Sequence, residues 1–343
     1  SSCIGIARKT KRAVILVTND IMMRIAAAAC GVEVQEYKND QIKESSYVGY
    51  REIKTSREII DDIYKKQSLA PEIFADEKPF VANEYITLTD GNTSALCVYR
   101  DNCIRLLKDT TAFGIRPQNR LQRFALDALL APAEEIPLVI LRGPAGTAKT
   151  FLSMAAALDK TYTDEFTRHT SSTSYDKIYI GRANVSSDEA FGFLPGELED
   201  KTRPLLGCFY SNLEDLLRKG NHEEDAQIQI QIDDMMETGL LRVFPLAYIR
   251  GMSIKNSFII CDEAQNIGRS LIRDIVTRCG QGSKLVILGD TNQIDVPFLD
   301  KTNSGLTYLA HNMKGSTKCA QITFTEKESV RSALATEALN RLM

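Results

Sequence analysis

Residues 138–150 read LVILRGPAGTAKT. An apolar strand over 137–141 feeds a loop containing Gly143 and Gly146, and Lys149-Thr150 then opens an apolar helix over 149–160. Polyphosphate binding needs this arrangement. Small residues let backbone N–H groups wrap the phosphates, and the helix N-terminus adds its dipole. Lys149 reaches the β- and γ-phosphates and Thr150 ligates magnesium. The loop Gly143, Pro144, Ala145, Gly146, Thr147, Ala148, Lys149 and Thr150 is therefore the candidate nucleotide site, with ATP and Mg2+ as the expected ligands. One position departs from the G-x-x-x-x-G-K-[ST] pattern, because Ala148 precedes the lysine where glycine is usual. Alanine keeps its N–H, but its methyl crowds the phosphate or requires a different backbone, so weaker nucleotide binding is expected.

Working outward, residues 257–266 read SFIICDEAQN. A buried strand ends in two carboxylates, where ligands sit in open α/β sheets. Asp262 is the candidate magnesium ligand, through water, and Glu263 the group that polarises the attacking water. Without the phosphate loop, this pair would read as a helix cap. Residues 284–295 read KLVILGDTNQID, a second apolar strand ending in polar residues. Gln293 is a candidate sensor of the γ-phosphate or the attacking water, while Asp290 and Asn292 hold the turn. Arg331, in SVRSALA, is a candidate to stabilise charge at the γ-phosphate. Gln122, in LQRFAL, is a candidate reader of the adenine edge.

The bulk properties fit a nucleotide enzyme. The 343 residues suggest about two domains at roughly 100–200 residues each. A formal net charge of −3 excludes a dedicated DNA coat or polybasic membrane binder, but leaves room for a local basic groove. Eight scattered cysteines without a C-x-x-C pair argue against a zinc ribbon or disulfide scaffold, and fit a reducing, cytoplasmic setting. No long apolar run predicts a membrane span, and no signal-peptide pattern opens the chain, which begins as if inside an element.

Three textures divide the chain. Residues 13–37 read as strand, helix and strand, with Asp20 at the helix start. Residues 41–111 carry short Val-, Ile-, Tyr- and Thr-rich segments, a helix over 57–67, and a hairpin turn at Asp90-Gly91-Asn92. From 112 onward, a helix over 118–131 precedes strands at 137–141, 177–181, 241–244, 257–261 and 284–288, which alternate with helices and predict a mainly parallel sheet covered on both faces. Residues 219–238 are polar, with the alternation Gln227-Ile228-Gln229-Ile230-Gln231-Ile232; a solvated insertion is expected there, a β-ribbon being the other option.

The ordered set GPAGTAKT, FGFLPGELEDK (191–201), YIRGMSIKNSFIICDEAQN (248–266), TRCGQGSKLVILGDTNQID (277–295) and SVRS (329–332) resembles the PhoH-like ATPases, which are similar to superfamily 1 helicase motors. VILVTNDIMMRIAAAACGVEVQEY (14–37) looks like the last strand–helix–strand of a PIN ribonuclease domain. The resemblance implies an α/β, RecA-like P-loop NTPase over 112–343, a β-rich connecting module over 41–111 and a PIN-like fragment over 1–40. It also implies ATP-driven RNA unwinding joined to RNA cleavage in a parent protein, single-stranded RNA as partner, and a ring-shaped homo-oligomer, hexameric in one form, with arginines donated between subunits. It strengthens Gln122, Gln293 and Arg331, and adds Arg278 as a contact to nucleotide or neighbour. Two departures stand out: Ala148, and Met252 where the family carries a second arginine in RGRS. Of the carboxylates that hold metal ions in a PIN nuclease, Asp20 alone is identifiable, so PIN-type cleavage is not expected from this chain. The competing expectation is a nucleotide-dependent assembly scaffold with little hydrolysis. DEAQ and GDTNQID speak against a small-molecule kinase.

Overall fold

The computed structural model describes residues 5–6, 13–18, 21–35, 46–162, 174–183, 207–218, 225–249, 252–297, 299–329 and 337. At the N-terminus, β1 (Ile15–Val17) and β2 (Glu33–Gln35) pair in parallel across the helix α1 (Ile21–Ala29). This is the expected strand–helix–strand. Asp20, the 191–201 motif and Arg331 lie outside the described residues.

The β-rich stretch is a five-stranded sheet. It comprises β3 (Tyr50–Lys54), β4 (Ser68–Leu69), β5 (Glu84–Thr89), β6 (Ser94–Arg100) and β7 (Cys103–Leu106), in the order β3-β5-β6-β7-β4. Helix α2 (Arg57–Lys66) covers one face, burying Ile60 and Ile63 against Ile53, Ile86, Leu88 and Cys97. Asp90 forms the β5–β6 turn as its sequence predicts, its carboxylate accepting from Asn92 N and Thr93 N at 2.8 and 2.6 Å.

The larger sheet has six strands, all parallel, in the order β10-β9-β11-β12-β8-β13. In chain order the elements are α3 (Arg120–Leu130), β8 (Leu138–Arg142), α4 (Lys149–Thr161), β9 (Lys177–Arg182), α5 (Gly207–Arg218), α6 (Asp225–Glu237), β10 (Leu241–Pro245), β11 (Ser257–Asp262), α7 (Arg269–Arg278), β12 (Lys284–Gly289), α8 (Gly305–Asn312) and β13 (Cys319–Thr323). Every residue of β8, β11 and β12 is buried, which is why these strands read as unbroken apolar runs. Successive side chains enter opposite layers. Val139, Leu141, Ile260 and Leu288 join a core with α3, α4, α5 and α6, while Ile140, Ile259 and Ile287 join one with α7 and α8. This is the α/β, RecA-like architecture expected. From β8 the chain runs to β9 on one side, and β13 closes the other, so the phosphate loop leaves the sheet at a topological switch point.

One expectation fails. Residues 225–237 form neither a β-ribbon nor a solvated insertion but the helix α6, which buries one face in the core. Ile228, Ile232 and Met235 are buried while Ile230 is 67% exposed, so the spacing i, i+4, i+7 decides over the period-2 alternation.

The two sheets share a core. Tyr85 of β5 stacks on Phe124 of α3 with ring centroids 4.8 Å apart, and its hydroxyl donates to Asp127 Oδ2 at 2.9 Å. Arg100 pairs with the same carboxylate at 3.2 Å, and Asn83 Nδ2 donates to Thr317 O at 2.9 Å. Tyr47 and Val48 lie along β13, Val48 O accepting from Thr323 N at 2.9 Å and Tyr47 O from Arg142 at 2.8 Å. Beneath this seam Lys284 is wholly buried and donates to Ala128 O at 2.8 Å, one of the last-turn carbonyls that α3 cannot satisfy itself. Burial, with the charge of Arg100 beside it, pushes the Lys284 ammonium down to about 7. Among the described residues, no helix is long and apolar enough to cross a membrane.

Candidate nucleotide site

The C-terminal ends of β8, β11 and β12 meet around one cleft of about 260 Å3. Ala145 to Phe151 line it from the phosphate loop, Asp262 and Glu263 from β11, and Gly289, Asp290 and Gln293 from β12. Asn212 of α5 completes it. Motifs more than a hundred residues apart in sequence thus converge because their strands are neighbours in register.

Within the loop, Lys149 is buried and its ammonium donates to Gly143 O at 2.7 Å, Pro144 O at 2.8 Å and Thr147 Oγ1 at 3.3 Å. Thr150 Oγ1 donates to Asp262 Oδ2 at 3.2 Å. A hydroxyl and a carboxylate at this separation are the hard oxygen donors magnesium takes. Asp262 is nearly buried, and burial foremost, then the charge of Glu263, raise its pKa above the usual carboxylate range. The hydrogen bond from Glu263 N, then Arg182 and Lys149, pull it the other way without prevailing.

Glu263 stands on left-handed backbone, φ 57° and ψ 35°, at the start of a 3-10 turn over Ala264–Asn266. A residue with a side chain pays about 1–3 kcal/mol for such a conformation, and these cluster where a side chain must be aimed. Its carboxylate accepts from Arg182 Nη2 at 3.2 Å and from Gln265 Nε2 at 2.5 Å. Gln265, fully buried, also donates to Gln293 O at 2.9 Å and accepts from Asp290 N at 3.1 Å, so one side chain ties the end of β11 to the turn after β12. Asp290 and Asn292 hold that turn, Asp290 Oδ1 accepting from Asn292 N at 2.9 Å.

Ala148 also adopts left-handed backbone, φ 65° and ψ 20°, as the residue before α4. This explains the glycine of the usual pattern, since glycine takes that conformation freely, whereas alanine is strained there by roughly 1–2 kcal/mol. Ala148→Gly is expected to raise the thermal midpoint by a few degrees, about 1 kcal/mol net of the extra freedom of the unfolded chain, and to tighten nucleotide binding. Melting curves and a nucleotide titration test this; an unchanged or lower midpoint overturns it.

Two candidates lie away from the cleft. Gln122 is buried in the first turn of α3, its Oε1 accepting from Gln118 N at 2.8 Å. Arg278 ends α7, its carbonyl accepting from Ile254 N at 3.0 Å. Neither lines the cleft. Met252 packs against the α7–α8 core beside Tyr179 and Phe244, an apolar seat for a methionine. A second cleft, about 850 Å3, opens between the small sheet and residues 109–123 and contains none of the phosphate-loop residues. Arg182, Asn212 and Gln265, and Phe151 and Gly289 of the cleft lining, were not singled out from the sequence. Of the first three, only Gln265 had a signal, its place within DEAQ.

With this geometry in view, residues 114–342 match the model of the family described as "PhoH-like protein". The chain belongs to the PhoH-like family. Residues 1–38 match a PIN domain model. Protein PhoH2 of Bacillus subtilis (strain 168) is 34% identical over 344 residues, covering 98% of this chain and 74% of that protein. Protein PhoH2 of Thermobispora bispora is 30% identical, covering 96% and 71%. A PhoH-like protein of Mycobacterium tuberculosis (strain H37Rv) is 38% identical over 183 residues, 53% of this chain and 46% of that one. A solved chain titled "The structure of PRRSV helicase" covers 70% of this chain and 39% of its own at 11% identity, with a TM-score of 0.25, too slight a likeness to bear on the fold. Membership in the PhoH-like family and the phosphate loop on a parallel sheet make this a P-loop NTPase-like protein.

Proposed function

We propose that this chain is an ATP-hydrolysing, Mg2+-dependent ATPase coupled to RNA binding or unwinding, acting in a parent protein that joins it to a PIN ribonuclease. One observation carries the reading: Thr150 Oγ1 lies 3.2 Å from Asp262 Oδ2, with Glu263 and Lys149 lining the same cleft. Loop N–H groups and the N-terminus of α4 bind the triphosphate, and Lys149 neutralises its outer phosphates. Thr150 and Asp262 would hold magnesium, whose charge draws electrons from the phosphoryl group. Glu263 orients the attacking water and accepts its proton. Gln293, which lines the same cleft, is the residue proposed to contact that water or the γ-phosphate, and Gln265 donates to its backbone carbonyl.

The partners proposed are single-stranded RNA and further copies of the chain in a ring, a hexamer being one such form. Arg331 and Arg278 are proposed as arginines donated to a neighbour's nucleotide, and Gln122 as the adenine reader. For Arg278, its place outside the cleft of its own chain favours donation across subunits. The units proposed are residues 1–40, 41–111 and 112–343, in a cytoplasmic protein, with Asp20 as the remnant of a PIN metal site. Assembly without hydrolysis is the second reading, favoured by the strained backbone of Ala148. ATP hydrolysis measured with magnesium, with and without single-stranded RNA, separates the two. RNA-stimulated turnover is expected; tight ATP binding with no turnover in either condition sinks the motor reading.

A further inference from the structure

Arg182 is the last residue of β9, and parallel register sets it directly beside Asp262. One arm of its guanidinium meets Glu263 Oε1 at 3.2 Å, and the other donates to Cys208 Sγ of α5 at 3.6 Å. The fork thus spans two elements that flank the nucleotide cleft. Both oxygens of Glu263 are engaged, but by different kinds of donor. Gln265, on the second oxygen, is fully buried and tied into the β12 turn. Arg182 is 29% exposed, so its contact is the one that a ligand arriving from solvent can take away.

A carboxylate oriented by a guanidinium is less free to swing toward the attacking water. A phosphodiester offers the same pair of oxygens to the same planar fork. Arg182 ends β9 at the C-terminal edge of the sheet, beside the carboxylates of β11. We propose that Arg182 restrains Glu263, and that an RNA phosphate releases it by taking the guanidinium. Arg182 is then a positioning residue that converts RNA contact into water activation. This rests on the ATPase reading above and names its regulator.

The test is steady-state ATP hydrolysis by the full chain with magnesium, with and without polyuridylate, for wild type, Arg182→Gln and Arg182→Lys. Without RNA, Arg182→Gln is expected to raise kcat roughly tenfold, the factor that about 1.4 kcal/mol makes in a rate, with KM for ATP unchanged. RNA should then add little further, and Arg182→Lys, which keeps the charge but not the fork, should fall between. A fall in kcat for Arg182→Gln in both conditions overturns the restraint and makes the arginine an aid to catalysis, as it would be if ATP itself took the guanidinium. An unchanged basal rate with full RNA stimulation overturns it too. A wild type that hydrolyses ATP but ignores RNA sinks the RNA reading and the releasing role together, while the basal rate of Arg182→Gln still decides the restraint. ATP binding without turnover in any of the three proteins overturns the restraint, since release would have shown as activity. Melting curves establish that each variant is folded.

Discussion

Glu263→Gln should lower the turnover of ATP by about two to four orders of magnitude while leaving ATP affinity within a few-fold. The amide keeps the size of the side chain, and the triphosphate's own contacts, Lys149 and the loop N–H groups, are untouched. What is lost is the proton acceptor. There is a second effect. Both carboxylate oxygens now accept, one from Arg182 and one from Gln265. An amide has one acceptor oxygen and sets its NH2 against the other donor, so one contact must break. The buried Gln265 is the harder to move, and the Arg182 contact is expected to yield. Turnover is read under single-turnover conditions and affinity from a separate nucleotide titration. If the variant keeps turnover within a few-fold, the base is another group, with Gln293 the next candidate. If affinity collapses along with turnover, Glu263 supports the loop rather than the chemistry.

Gly49→Ala should destabilise the whole fold by about 3–5 kcal/mol, enough to lower the thermal midpoint by roughly 10 °C. A Cβ at this position would lie 1.6 Å from Gln321 O and 2.5 Å from Gln321 C, backbone atoms of β13 that cannot step aside. The residue also has φ +93°, a conformation that strains any side chain. The segment carries the seam, since Val48 O binds β13 through Thr323 N and Gly49 O binds β5 through Tyr85 N. Gly91→Ala is the control. Its φ of +98° is similar, but a Cβ there meets nothing within 4 Å, so it carries the backbone strain without the collision. The difference between the two midpoints measures the close approach itself. Equal losses would mean that the seam can part without consequence for the larger domain.

Much of the site was legible because its chemistry is local. The phosphate loop, Asp262-Glu263 and Gln293 each follow a fully buried strand, and such strands announce themselves as apolar runs that stop at polar residues. The α/β class followed from the same runs. The edge strand β13 did not show, because CAQIT places Gln321 among small residues; the glutamine is buried only because its amide finds Ala310 O at 2.9 Å. The helix α6 was obscured by an alternation that imitates a strand, and only packing against the core shows which isoleucines face inward.

By itself, then, the sequence determined which segments carry the phosphate-loop pattern and the paired carboxylates, since those features depend on residues within a few positions of one another. The tertiary structure decided what no local pattern can hold. It put β9 beside β11, and so Arg182 on Glu263. It set Gln265 between two loops, brought Asn212 to the cleft, and passed Gly49 across β13 at a distance only glycine allows. These contacts join residues dozens to hundreds of positions apart, and their energies arise from register and burial, which exist only once the sheet has formed.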